Sequence, residues 1–252
     1  MDAVDSSLGE LTDMLDACAC VVVFTGAGIS TESGIPDFRS PTGIWSRMKP
    51  IDYQDYLASE QARRESWRRR LEIDRELDGA RPNRGHRAVA TLVDRGKATW
   101  VVTQNIDGLH QQSGIPEDQV IELHGNTRYA RCLDCGERYE LAPIFETFAK
   151  DETLPVCTYC SGVIKTATIS FGQPMPEEAM RRAFLASMQC DLFLAVGSSL
   201  AVYPAADFPV LAKANGARLV IVNREATGLD AAADLVVNAE IGFALGAAVG
   251  VD

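Results

Sequence analysis

Short runs of β-branched and apolar residues recur along the chain, and each run closes on small or polar residues. Between them lie stretches whose apolar positions keep helical spacing. Leu8, Leu11, Met14, Leu15 and Cys18 predict a helix over 8–18 that leads into a buried strand, Val21-Val22-Val23-Phe24-Thr25. Residues 53–77 read as one or two polar helices, and a further helix covers 86–93 after the break at Pro82-Asn83. Strands follow at 98–103 and 120–123. Residues 163–171 are strand-like, 177–189 helical, 191–196 a buried strand, and 204–216 a helix closing on a glycine. Strands at 218–222 and 234–237 precede a short C-terminal helix. This alternation predicts an α/β fold with a doubly wound, Rossmann-like parallel sheet.

Such a sheet brings its strand ends to one edge, where open α/β sheets bind ligands. The residues placed there are Gly26 and Gly28, then Gln104, Asn105 and Asp107, then His124, then Gly197, Ser198 and Ser199, and finally Asn223. Gly26-Ala27-Gly28 suits close approach of backbone N–H groups to a diphosphate. Thr31 stands where the dinucleotide fingerprint has its third glycine, so the glycines alone also fit an ordinary tight turn. Asp37, Phe38 and Arg39, together in the loop that follows, favour a ligand site. His124 before Gly125 reads by itself as structural; at a strand end among these neighbours it reads as functional.

Four of the seven cysteines form two Cys-x-x-Cys pairs, Cys132/Cys135 and Cys157/Cys160. Two such knuckles suit one tetrahedral zinc better than redox dithiols, and four thiolates leave no open position, which makes the metal structural. Its binding energy would help fold a segment without a core of its own. Cys18, Cys20 and Cys190 read as buried apolar positions. His86 reads as packing or capping its helix, His110 as structural, and the arginines at 63, 64, 68, 69 and 70 as a solvated face.

The whole-chain numbers narrow the partners. With 252 residues, 46% hydrophobic and 23% charged, the chain is an ordinary globular protein with room for a substantial core. A net charge of −11 argues against direct binding to a nucleic-acid backbone. Solubility is the simpler reading of the acid excess, although so few lysines would also suit a high-salt cytoplasm. No apolar run reaches a membrane span, and the acidic N-terminus does not resemble a signal peptide, so the expected location is cytoplasmic.

Taken together, these blocks resemble the sirtuin family, NAD-consuming protein-lysine deacylases, in its prokaryotic type. The resemblance runs through Gly26–Ser30, Gly34–Arg39, Thr103–Gly108, His124-Gly125, the four cysteines, Phe171-Gly172, Gly197–Leu200, Tyr203–Ala206 and Asn223. It implies that acetyl-lysine and NAD become lysine, nicotinamide and 2′-O-acetyl-ADP-ribose. It places Gly26, Ala27, Gly28, Thr31 and Arg39 at the diphosphate, with Asp37 among the cofactor contacts. Asn105, Ile106 and Asp107 would surround the nicotinamide carboxamide, Phe38 would shield the same pocket, and Gln104 would lie against the ribose. Gly197, Ser198, Ser199 and Asn223 would hold the adenosine half, with Ile241 near the adenine. His124 would be the general base acting on the ribose hydroxyls. The substrate peptide would lie as an added strand between Phe171-Gly172 and the segment with Val202 and Tyr203.

The resemblance also implies two parts: a Rossmann-like domain of residues 1–44, 80–125 and 165–252, and a small domain of a helical insertion, 45–79, with the zinc module, 126–164. The chain departs from the family at Gln173, where Phe-Gly-Glu is common, and at Thr166, Thr168 and Ser170, where many members are more apolar. No tyrosine stands three residues before any of Arg68, Arg69 or Arg70, so the Tyr-x-x-Arg pair that serves succinyl or malonyl groups is missing and a neutral acyl group is expected. A mono-ADP-ribosyltransferase and a non-catalytic NAD-binding module are the competing readings. Asn105, Asp107 and His124 weigh against the second of these.

Overall fold

The computed structural model describes residues 2–38, 43–77 and 79–252, and Arg39 lies outside them. In chain order the elements are α1 (Asp2–Ala17), β1 (Val21–Thr25), a 3-10 helix (Ala27–Ser33), α2 (Ile44–Arg47), α3 (Tyr53–Ala58) and α4 (Glu60–Leu77). Then come α5 (Arg84–Asp94), β2 (Ala98–Thr103), α6 (Leu109–Gln112), β3 (Val120–Glu122), β4 (Gly125–Cys132), β5 (Arg138–Glu140) and α7 (Leu141–Asp151). The chain closes with β6 (Ile164–Thr168), α8 (Glu177–Gln189), β7 (Leu192–Val196), α9 (Asp207–Ala214), β8 (Arg218–Val222), β9 (Leu235–Val237) and α10 (Ile241–Val249).

Six strands form one sheet in the order β3-β2-β1-β7-β8-β9, and every pairing in it is parallel. Alternation along the strands feeds two cores. Val21 and Val23 of β1 face a cluster with Leu11, Val89 and Leu245 from α1, α5 and α10. Val22 and Phe24 face the other side, with Ala183 and Ala186 of α8 and Phe208 and Ala212 of α9. Helices therefore cover both faces, as strands buried on both sides require. The chain works outward from β1 to β3 and then restarts beside β1 with β7. That reversal leaves the carboxyl ends of β1 and β7 uncovered by any crossover, which is the binding crevice of doubly wound sheets.

Three further strands make a small antiparallel sheet, β5-β4-β6. Residues 164–168 belong to this sheet, pairing Ala130 with Thr166 and Cys132 with Ile164, and do not join the large one. The arginine-rich helix α4 packs on it, so that Trp67, 2% exposed, shares a core with Ala130, Ile144, Phe148 and Ile164. The metal-binding segment thus has a core of its own, supplied largely by α7 between the cysteine pairs. α1 ends at Ala17, leaving Cys18 just past the helix, buried as the sequence implied. Among the described residues no helix is long and apolar enough to cross a membrane.

Candidate active site and metal centre

The crevice above β1 and β7 opens into a cavity of about 740 Å³. It is lined by every residue that the sequence placed at the NAD and peptide sites, apart from Arg39, which lies outside the described residues. Ala27, Thr31, Asp37, Phe38, Ile106, Phe171, Gly172, Ser199, Val202, Tyr203, Asn223 and Ile241 are all among them.

Packing within the protein by itself requires these glycines. A Cβ on Gly26 would lie 2.7 Å from Gly197 O, and one on Gly28 would lie 2.8 Å from Gly197 Cα. Their N–H groups are already used inside the protein, Gly26 to Val196 O (3.0 Å) and Gly28 to Gly197 O (2.8 Å). Gly197 has φ +62°, in the left-handed region that favours glycine, and its own Cβ would lie 2.4 Å from Ile29 N. Glycine at these three positions lets the two loops at the strand-order reversal meet backbone to backbone.

Around this junction the polar side chains brace one another. Ser30 Oγ donates to Asp107 Oδ2 (2.7 Å), and Asp107 Oδ1 accepts Leu109 N–H (2.9 Å). Asn105, 5% exposed, donates to Gly26 O (3.1 Å) and to Ser30 Oγ (3.2 Å). Gln104 Nε2 donates to Ser198 Oγ (2.8 Å), tying the ends of β2 and β7 together. Thr127 pins Ile106 O with both its N–H (2.9 Å) and its hydroxyl (2.6 Å). The turn 104–107 is therefore held from three sides, which fixes its geometry before any ligand arrives.

His124 Nδ1 lies 2.9 Å from Gln104 O. A carbonyl only accepts, so Nδ1 carries the proton and Nε2 holds the lone pair of the neutral ring. Directly after it Gly125 takes φ +74°, and a Cβ there would fall 1.9 Å from Ala167 O. Only glycine turns the chain at that point from the large sheet into β4 with the histidine left at the crevice.

A second pair of histidines lies beneath the site. His86 completes the capping box at the start of α5 with Asn83, accepting the Asn83 N–H at Nδ1 (3.4 Å). His110 Nε2 meets Thr25 Oγ1 (2.8 Å), which itself donates to Thr103 Oγ1 (2.8 Å), so Nε2 carries the proton. The two rings stand 5.2 Å apart between centroids, with a donor at His86 Nε2 and an acceptor at His110 Nδ1 left over, a complementary pair. Burial pushes the His110 pKa down to about 4 and that of His86 down as well, so both stay neutral at ordinary pH.

Aromatic rings roof the cavity. Phe38 stands 5.5 Å from Trp45, and Trp45 stands 5.3 Å from Phe171. Sequence reasoning missed Trp45, which follows a short irregular stretch with no pattern around it. It also missed Ser66, Arg69, Arg70 and Lys165 as cavity residues. The arginine run is not wholly a solvated face: Arg70 is 7% exposed and donates to Thr127 O (2.6 Å).

The four cysteines converge at the edge of the small sheet. All four sulfurs lie within 4.8 Å of one another, with Cys132 and Cys160 at 3.5 Å and Cys135 and Cys157 at 3.6 Å. A disulfide would need about 2.05 Å. Tetrahedral Zn–S bonds of about 2.3 Å would set sulfurs about 3.8 Å apart, so the cluster is sized for a zinc ion. The Tyr139 hydroxyl donates to Cys157 Sγ (3.1 Å), which lowers that thiol's pKa and favours the thiolate a metal needs.

The Sir2 family model matches residues 26–204. An NAD-dependent protein deacetylase of Rhodopseudomonas palustris is 54% identical over 248 residues, 98% of each chain. NAD-dependent protein deacetylase 1 of Bradyrhizobium diazoefficiens is 56% identical over 245 residues, 97% of this chain and 96% of that one. Among solved structures, a Sir2 complex with a p53 peptide and NAD+ superposes with a TM-score of 0.83 at 36% identity, covering 93% of this chain and 94% of that one. With that family match, these identities and the same fold, the chain belongs to the Sir2 family.

Proposed function

We propose that this chain is an NAD-dependent protein-lysine deacetylase, converting acetyl-lysine, NAD and water to lysine, nicotinamide and 2′-O-acetyl-ADP-ribose. The observation that carries the reading is one crevice in which His124, oriented through Nδ1, faces the braced turn Gln104–Asp107 and the glycine junction of β1 and β7. NAD supplies a glycosidic bond whose cleavage drives the transfer, and the chain's own residues hold, shield and deprotonate.

Ala27 and Thr31 with Gly197, Ser198, Ser199, Asn223 and Ile241 hold the dinucleotide along the strand ends, Gly26 and Gly28 allowing the close packing beneath it. Asp37 and Arg39 belong to the same cofactor-binding loop. Asn105, Ile106 and Asp107 grip the carboxamide of nicotinamide. Their bonds to Ser30, Gly26 and Thr127 keep that grip in place without reorganisation. Phe38, backed by Trp45, keeps water from the reacting carbon. Nε2 of His124 takes a proton from a ribose hydroxyl so that its oxygen can attack the acyl carbon. The peptide lies between Phe171-Gly172 and Val202-Tyr203, where Phe171 and Tyr203 are exposed and able to receive it.

The division of labour follows the two sheets, with the dinucleotide on the large one and the small module forming the opposing wall. Zinc on the four cysteines holds the knuckles together and takes no part in the reaction. The acid excess suits protein partners and not nucleic acid, and the reading is of a cytoplasmic enzyme. Incubation with NAD and an acetyl-lysine peptide, following nicotinamide and peptide mass together, tests it. Loss of acetyl coupled to nicotinamide supports the reading. ADP-ribose appearing on protein with acetyl retained overturns it in favour of a transferase.

A further inference from the structure

His86 and His110 are buried beneath the cavity without lining it. From His110 a chain of hydrogen bonds runs through two hydroxyls to the turn 104–107. His110 Nε2–H donates to Thr25 Oγ1 (2.8 Å), Thr25 Oγ1 donates to Thr103 Oγ1 (2.8 Å), and Thr103 Oγ1 accepts Asn105 N–H (3.0 Å). Thr25 and Thr103 are 0% and 2% exposed, so water does not compete for these bonds. A hydroxyl has one hydrogen, and the group at the head of the chain decides where it points. With a donor at Nε2, Thr25 must turn its hydrogen to Thr103. With a lone pair there, Thr25 would turn back to the ring and release Thr103. His86 favours the first arrangement. Its Nδ1 accepts Asn83 N–H (3.4 Å), which puts its own hydrogen on Nε2. The two rings stand 5.2 Å apart, and a neighbouring donor keeps the lone pair of His110 on Nδ1, the nitrogen without a partner.

The same residue steadies the far end of the turn. His110 follows Leu109, whose N–H is bound by Asp107 Oδ1 (2.9 Å), and the His110 carbonyl is bound in turn by Ser113 Oγ (2.7 Å). Were His110 only a filler beneath the floor, a leucine would serve without burying polar nitrogens. We infer that His110 is a positioning residue for nicotinamide: through Thr25 and Thr103 it fixes the turn that carries Asn105 and Asp107, and with it their hold on the carboxamide. The inference rests on the deacetylase reading, in which those two residues grip that group. It makes affinity for nicotinamide, and not for the ADP-ribose half, depend on a side chain that no ligand touches.

The test is equilibrium dialysis of nicotinamide against protein saturated with ADP-ribose, with turnover of NAD and an acetyl-lysine peptide measured beside it. His110→Leu removes the donor, and His110→Asn sets its nitrogen one bond short. His110→Gln places a carboxamide nitrogen as far along the side chain as Nε2. His110→Leu and His110→Asn should each bind nicotinamide about tenfold more weakly and lower kcat about tenfold, the worth of a buried hydrogen bond and its stranded partner, while ADP-ribose affinity stays within about twofold. His110→Gln should return both quantities to within about threefold of the wild type. Thr25→Val cuts the chain at its next link and should reproduce the loss, with Thr25→Ser restoring it, and this pair carries the test if His110→Leu does not fold. Equal loss of nicotinamide and ADP-ribose affinity overturns the inference. So does a lowered melting temperature with nicotinamide affinity unchanged, or a His110→Gln variant no better than His110→Leu. A wild type without acetyl turnover would strike the deacetylase reading, and the dialysis still reads whether His110 governs the nicotinamide site.

Discussion

Lys165 offers a quantitative check on the physics of the crevice wall. Burial pushes its pKa from 10.5 down to about 8, so at neutral pH the folded protein carries an ammonium that its surroundings disfavour. A depression of that size corresponds to about 3 kcal/mol, a large share of a typical domain's stability. Below pH 8 the lysine is charged in both folded and unfolded states, and the full penalty applies. Between pH 8 and 10.5 the unfolded chain binds more protons than the folded one, so wild-type stability recovers as pH rises. Lys165→Met removes the charge and keeps much of the stem's packing. The variant should therefore gain up to about 3 kcal/mol over the wild type at pH 7, a gain that shrinks toward pH 10.5. Urea unfolding of both proteins at matched pH values, with zinc held constant, gives the difference directly, and ionisations common to both cancel. A difference that does not change with pH would refute the reasoning, since the carbonyl bonds of Lys165 would then balance its desolvation.

His124→Ala should keep NAD affinity, measured by calorimetry, while turnover falls by about 10²–10⁴, the usual worth of a general base. Cys157→Ser should lower zinc content and expose the small-module core, read as a red shift in the emission of buried Trp67. His110, held near pKa 4 by burial, stays neutral when the unfolded chain protonates, so stability is lost as pH falls from about 6.5 toward 4. Replacing it with Asn should remove about 2 kcal/mol of that acid sensitivity between pH 7 and pH 4.5, checked by denaturation at those two values.

The parallel sheet was legible because its strands are buried on both faces, so runs such as Val21–Phe24 and Leu192–Val196 stand out without tertiary knowledge. The strand-end residues followed from the same pattern plus the rule that sheet order places them together. β4 was not legible: Gly125–Cys132 carries Asn126 and Thr127 buried by hydrogen bonds, not apolar contacts, so no alternation marks it. α7 fell inside the gap between cysteine pairs, where the metal spacing drew attention from Leu141, Ile144 and Phe148. The inward turn of Arg70 depends on a backbone carbonyl of β4, a partner that no spacing within α4 reveals. At Gly26 and Gly28 the spacing pointed to close approach of a ligand, and the close approach between two loops of the protein itself was not legible, because it depends on the strand order that sets β7 beside β1.

The central claim is that a single crevice couples loss of nicotinamide to loss of an acyl group. The ratio of nicotinamide released to acetyl groups removed, followed over one time course with and without acetyl-lysine peptide, measures that coupling. One nicotinamide per acetyl, and none above background without the peptide, is the predicted result. Release that proceeds at the same rate without peptide, or acetyl lost without nicotinamide, would contradict it.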